Sequence, residues 1–181
     1  VGGVINQFSY TLHPHGFEGD FTLVVDALAK VDDLFKPFLD DDLIEVDLSF
    51  VTKLATDKKV KPEVMKLNGF VTERAFTETS QEHVAKGAKV NRRVYTCSFV
   101  DPATYFWKQH QPTQLFVNKK LSDLIEENTV QEYVKLNLQH PSLDKSNDVL
   151  CVNLGGGEAT FWDYVQWRTW WLNAVFYYDY Q

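Results

Sequence analysis

Basic residues are the scarce charge in this sequence. Its 181 residues carry 18 Lys and Arg against 25 Asp and Glu, a net charge of −7. Proteins that grip nucleic acid through its phosphates need a basic face. So do proteins that dock on anionic membranes, and neither role is expected here. Cysteine is scarcer still. Cys97 and Cys151 are the two present, with no CxxC spacing, which excludes a disulfide framework. Both read as small, reduced, buried side chains. No apolar run reaches the length of a transmembrane helix. The opening VGGVINQFSY lacks the basic start and apolar middle of a signal peptide. Internal repeats, low-complexity tracts and flexible linkers are absent from the sequence.

Aromatic residues are plentiful, at 14% of a chain that is 44% hydrophobic and 24% charged. The bulk composition is that of a globular protein with room for a core. Such aromatic content implies either an aromatic-rich core or a surface awaiting a partner. It is also uneven. Four of the 5 tryptophans lie in the final ATFWDYVQWRTWWLNAVFYYDYQ, which ends in a run of tyrosines.

The first hundred residues read almost entirely as strand. INQFSYTLHP and FTLVVDALAK alternate as two strands of a hairpin around the turn chemistry of HGFEGD. In ALAKVDDLFKPFLDDD, Leu28, Val31, Leu34, Phe35 and Phe38 fall near helical spacing, which suggests a short helix or ordered loop that Pro37 ends or kinks. LIEVDLSFVTKL alternates cleanly, with Ile44, Val46, Leu48 and Phe50 on one face. ATDKKVKPE reads as an exposed loop. VMKLNGFVTERAFTET is a strand whose Asn68-Gly69 pair fits either a tight turn or a bulge or bend in one long strand. SQEHVAKGAKVN is polar and loop-like, and RRVYTCSFVDP is another strand. Short strands separated by turns suggest a small barrel or sandwich.

After Pro102 the texture shifts. PATYFWKQH reads as a helical turn. QLFVNKKLSDLIEENTV reads as a strand followed by a helix from about Ser122, with Leu121, Leu124 and Ile125 as its apolar stripe. VKLNLQ and VLCVNL read as further short strands. Thr160 and Asp163 resemble a capping box, followed by helical periodicity from Phe161 to Asn173. Phe161, Tyr164, Val165, Arg168, Trp171 and Leu172 share one face, with Trp162, Trp167 and Trp170 elsewhere. A helix apolar nearly all round is expected to be buried on several sides. AVFYYDY then returns to strand. The fold class is α+β, mainly β, with residues 1–101 all-β and residues 102–181 an α/β segment.

No residue set assembles a catalytic, cofactor-binding or metal site. His13 and His15 point the same way if they sit on a strand end, but zinc needs three or four ligands, and Asp20, Asp26 and His83 are not at a spacing that makes a partner pair. Asp40, Asp41 and Asp42 lack the spacing and glycine of a calcium loop and read as a solvated loop. Gly155 to Glu158 match neither phosphate-loop spacing and have no following Lys. GxSxG is absent, and Ser98, Asp101 and His110 are close only in sequence. An acidic, aromatic-rich chain of this kind fits a structural or assembly protein better than an enzyme.

The segment RRVYTCSFVDPATYFWKQHQPTQLFVNKKLSDLIEEN resembles the VgrG spike proteins of type VI secretion systems and the related contractile-phage baseplate hubs. The features that carry the resemblance are Tyr95, Pro102, Trp107 to Gln109, Phe116, and Leu124 with Ile125. A second pattern is similar too: Thr160, Tyr164, Arg168, Leu172, the Asn173-Ala174 turn and Tyr177. HGFEGDF followed by DDLFKPFLDDDLIEVDLSF resembles the entry into a first hub barrel. The resemblance implies a small tail-tube-like β-barrel over 1–101, followed by the α/β segment of the hub. It further implies a homotrimer when full length, with two barrels per chain forming a ring of six that matches a hexameric tail-tube protein. Spike-tip and effector proteins are the other implied partners. The implied localisation is the bacterial cytoplasm during assembly, then outside the cell, in a target cell or in a virion. The second barrel and the spike have no counterpart here, so the aromatic end is expected to pack on the next part of the hub or on a neighbouring subunit. Its interface candidates are Trp162, Trp167, Arg168, Trp170, Trp171, Phe176, Tyr178 and Tyr180. Asp40 to Asp42 are expected on loops facing the lumen or the tube. No cofactor is implied. Two other classes compete with this reading: a hydrolase with an unrecognised site at the histidines or Asp40–Asp42, and a soluble adaptor that carries an effector.

Overall fold

The structure is a computed structural model that describes residues 3–27, 34–40, 42–51, 64–83, 88–113, 115–139, 146–151 and 159–180. Two compact units divide the chain. One takes Val1–His13, Phe17–Asp101 and Tyr180–Gln181; the other takes Pro14–Gly16 and Pro102–Asp179.

The first unit is a five-stranded sheet in the order β1-β2-β5-β4-β3. Its strands are β1 (Val4–His13), β2 (Gly16–Ala27), β3 (Glu45–Val51), β4 (Val64–His83) and β5 (Ala88–Val100). The sheet is curled into a half-barrel. Ring contacts show the curl. Phe50 on edge strand β3 lies 5.7 Å from Phe8 and 4.9 Å from Tyr10, both on the opposite edge strand β1. In a flat five-stranded sheet those edges would stand roughly 19 Å apart.

The concave face is set by period-two patterning. On β3 it takes Val46, Leu48 and Phe50, which pair with Gly69, Leu67 and Met65. On β5 it takes Tyr95, Cys97 and Phe99, all buried. β4 reaches both neighbours only by changing parity. A register shift between Val71 and Glu73 leaves Thr72 as an extra residue. Before it, Leu67, Gly69 and Val71 face inward; after it, Arg74 and Phe76 do, opposite Cys97 and Tyr95. A bulge inserts one residue and flips the alternation.

Asn68-Gly69 is therefore not a turn but part of one long strand, whose bulge lies further on at Thr72. Asn68 faces outward and donates to Glu45 Oε1 and Asp47 Oδ1 at 2.5 and 2.8 Å. Gly69 faces inward beneath the Phe17 ring, where a Cβ would lie 2.5 Å from the Val100 carbonyl oxygen.

Other sequence expectations change in the same unit. The first turn is Pro14–His15, so β2 starts at Gly16 and takes up most of HGFEGD. The polar stretch 80–91 is not loop throughout. β4 and β5 pair out to His83↔Ala88, because backbone pairing along a hairpin needs no apolar side chains. Pro37 neither ends nor kinks its helix. It sits inside α1 (Phe35–Leu39), in a first turn whose N–H groups have no intrahelical acceptor. α1 covers the concave face. Phe38 meets Tyr95 at 4.8 Å, Phe35 meets Phe76 at 5.6 Å, and the Arg93 guanidinium lies 3.8 Å from the Phe35 ring centre. Leu28, Val31 and residues 55–63 lie outside the described residues.

The second unit packs α2 (Pro102–Gln109), α3 (Leu121–Glu127) and α4 (Phe161–Trp171) with the antiparallel pair β6 (Leu115–Lys120) and β7 (Ser146–Cys151). Its core gathers Trp107, Phe116, Leu121, Leu124, Phe161 and Tyr164. Each such side chain contributes about 1.5–3 kcal/mol when fully buried. Two expected strands differ. Residues 134–139 and 174–180 alternate in exposure as strands do but join no ladder. Alternation reports a surface to lie on. It does not supply a partner for the backbone groups.

Candidate functional site

The aromatic end of the chain begins with a capped helix. Thr160 Oγ1 accepts from the Asp163 N–H, and Asp163 Oδ2 accepts from the Thr160 N–H at 2.9 Å. The same oxygen takes the Thr160 hydroxyl at 2.7 Å. These bonds hold the Asp163 carboxyl below its usual range. The Phe161 N–H donates to the His110 carbonyl at 2.7 Å, which ties the start of α4 to the end of α2. The other end of α4 is closed by Asn173 at φ 52. There Ala174 N–H bonds to the Thr169 carbonyl and Asn173 N–H to the Trp170 carbonyl, both at 3.0 Å. This paired closure is a Schellman motif.

Burial along α4 is lopsided. Phe161, Tyr164 and Val165 are in the core, but Trp167 is 40% exposed, Trp170 78% and Trp171 61%. The expectation of burial on several sides is not met, since Asp163 is exposed and Trp162 only half-buried even in the first turn. Trp171, expected on the same face as Phe161, stands out in solvent. One helix face meets the core, and its C-terminal half is left uncovered by the described residues.

The remaining candidate residues divide by position. Trp162 is half-buried, with its ring 5.5 Å from His15, 6.1 Å from Trp107 and 5.7 Å from Phe176. Phe176 also packs on Trp107 at 5.8 Å. Tyr178 N–H donates to the Pro14 carbonyl at 2.8 Å. Tyr180, which belongs with the sheet unit, donates its hydroxyl to the His13 carbonyl at 2.6 Å. Burial raises the Tyr180 pKa, the His13 carbonyl opposes the rise, and the Asp101 charge adds to it. Arg168 is half-buried, and its Cζ lies 4.9 Å from the Trp171 ring centre. The structure adds two residues that were not among the interface candidates, Val175 and Tyr177, 81% and 68% exposed. With Phe176 turned inward, the alternation of 174–180 puts both outward.

The other motifs have local partners. His13 Nε2 lies 3.3 Å from Glu18 Oε1. Ser98 donates to Asp20 Oδ1 at 2.7 Å, and His110 Nε2 pairs with Asn128 Oδ1 at 2.8 Å. Asp40 caps α1, and the Asp42 carbonyl accepts from Arg74 at 3.3 Å. Asp41, Gly155–Glu158 and the side chains of Asp26, His83 and Cys151 lie outside the described residues. Among the described residues no group of three or more His, Cys, Asp or Glu side chains is placed to hold a metal ion. No described helix is long and apolar enough to cross a membrane.

No family model matches the sequence, and no curated protein matches it either. Solved structures do. The fold is similar to a chain of the half-lidded Francisella PdpA–VgrG complex, with a TM-score of 0.64 and 13% identity over 91% of this chain and 23% of that one. A lidless PdpA–VgrG complex aligns with a TM-score of 0.65 and 14% identity, over 91% of this chain and 26% of that one. The lidded Francisella complex gives 0.63 and 13%, over 89% and 20%. At such identity the likeness is one of fold. This chain spans about a quarter or less of the solved chains it matches.

Proposed function

We propose that this chain is the N-terminal hub region of a bacterial contractile injection machine related to type VI secretion. In that role it caps the tail tube and carries the spike for delivery. The single observation that carries the reading is the extent of the fold likeness. It takes in 91% of this chain, so both the curled sheet and the helical unit have counterparts in chains from PdpA–VgrG complexes. The order of motifs from Arg92 to Asn128 supports the same reading from the sequence side. The role is mechanical and not enzymatic. Its partners are further copies of the hub, in a trimer, together with a hexameric tube protein and the spike-tip and effector proteins. The hub assembles in the cytoplasm and leaves with the tube. The exposed tryptophans of α4 then serve as an assembly surface.

Deleting the coding gene in its source bacterium tests this. Release of the tube protein into the medium is expected to stop, and a plasmid copy is expected to restore it. Undiminished release from the deletion strain would overturn the proposal.

A further inference from the structure

Arg168 stands among exposed tryptophans with its hydrogen-bonding capacity unspent. Its Cζ lies 4.9 Å from the ring centre of Trp171 and 5.9 Å from that of Trp167. Nε is buried and finds no acceptor among the described residues, and none of their carboxylates pairs with the guanidinium. A buried donor without an acceptor carries its full desolvation cost. Contact with an indole face returns part of that cost. It also restrains the guanidinium, whose N–H groups lie in a planar fork suited to a carboxylate.

The surroundings match this chemistry. Trp167, Trp170, Trp171, Val175 and Tyr177 are the exposed hydrophobics on this end of α4 and the segment after it. Together they leave on the order of 500 Å² of mostly aromatic surface uncovered, and Trp167, Trp170 and Trp171 are neighbours at helical spacing. Trp and Arg are also the residue types that dominate binding energy at protein interfaces.

We infer that the C-terminal half of α4 docks a protein partner whose contacting surface is apolar and carries one carboxylate, which pairs with Arg168 beside Trp167 and Trp171. A planar guanidinium edge takes a carboxylate through two parallel hydrogen bonds. Contact with the two rings already restrains the arginine, so less ordering cost opposes the pair. A second copy of this chain fits less well. A two-fold contact through this surface would bring Arg168 toward its own symmetry mate. The inference rests on reading this surface as a protein interface, and not on the hub assignment.

The test is selection of a random peptide library on the immobilised protein, with counter-selection on Arg168→Gln. Recovered peptides are expected to carry an acidic residue beside aliphatic or aromatic ones. Converting that acid to its amide should weaken binding to the native protein roughly tenfold or more. The same conversion should change nothing in Arg168→Gln, since the pairing is already lost there. Trp170→Ala, at a site 78% exposed, should weaken both forms without disturbing the fold. The inference is overturned if no peptide survives counter-selection, if the survivors lack an acid, or if the amide form loses equally in both backgrounds. Concentration-dependent self-association abolished by Arg168→Gln would overturn it in favour of a second copy. None of these readings depends on tube-protein release, so this inference and the hub proposal fail separately.

Discussion

The indole N–H of Trp107 donates to Oγ1 of Thr129 at 3.2 Å, and the same hydroxyl donates to the Ile125 carbonyl at 2.6 Å. The pair joins α2 to the end of α3 inside the core of the second unit. Asn128 completes the join, donating from Nδ2 to the Leu124 carbonyl at 2.9 Å while its Oδ1 meets His110. The largest core side chain thus has its one polar atom satisfied, by the residue that also closes the neighbouring helix.

Thr129→Val keeps the shape and removes the acceptor. The Trp107 N–H is then buried without a partner, which costs about 1–3 kcal/mol. Thr129→Ser keeps the hydroxyl and should cost less. Urea unfolding of both variants checks the difference, and equal losses would mean that the hydrogen bond contributes nothing beyond packing.

The capping box gives a pH-dependent term. Thr160→Ala should destabilise the protein by about 1 kcal/mol. The Asp163 carboxyl is held below its usual range by the Thr160 side-chain and backbone bonds. Its folded pKa is depressed, so its contribution is present above the unfolded value and is lost as pH falls through the folded one. The group is solvent-exposed, so the effect is small. Stability measured from neutral to acid pH should fall less steeply in Thr160→Ala than in the native protein.

Asn173 holds a left-handed backbone at the end of α4. Asn173→Val places a branched side chain there and should cost roughly 1–2 kcal/mol, whereas Asn173→Gly should be neutral or mildly stabilising. Thermal melts of the two variants decide it. A tolerated valine would mean that the Schellman closure is not what ends the helix.

Cys97 faces the concave side of the sheet. Burial pushes its thiol from 9.0 up to about 11, while Arg74 pulls the other way. The folded pKa is raised, so the contribution is fully present below the unfolded value and is lost as pH rises through the range from about 9 to about 11. In a Cys151→Ser background, thiol reagents at neutral pH should label the native protein slowly and the urea-unfolded protein fast. Rapid native labelling would contradict the burial.

Where an element's identity depends on neighbours along the chain, it was legible. Val46, Leu48 and Phe50 announced the inward face of β3. Leu121, Leu124 and Ile125 announced the stripe of α3. Thr160 and Asp163 announced the start of α4. Residues 80–83 and 88–91 hid their strand, because their pairing lies in the backbone and polar side chains do not advertise it. Residues 134–139 and 174–180 advertised strands that never form, because alternation cannot show whether a second edge is at hand.

The candidate surface divides in the same way. The sequence by itself determined that aromatic mass is concentrated after Ala159, on a capped helix ending at Asn173, since composition, spacing and capping chemistry are local. Only the tertiary structure decided which rings are core and which are surface. Trp107 and Trp162 meet Phe176 in the second unit, while Trp170 and Trp171, alike in chemistry, stay exposed among the described residues. The same holds for the parity change at Thr72 and the glycine beneath Phe17. Burial is a relation between residues far apart in the chain. It is settled when the elements pack, and no residue's own chemistry contains it.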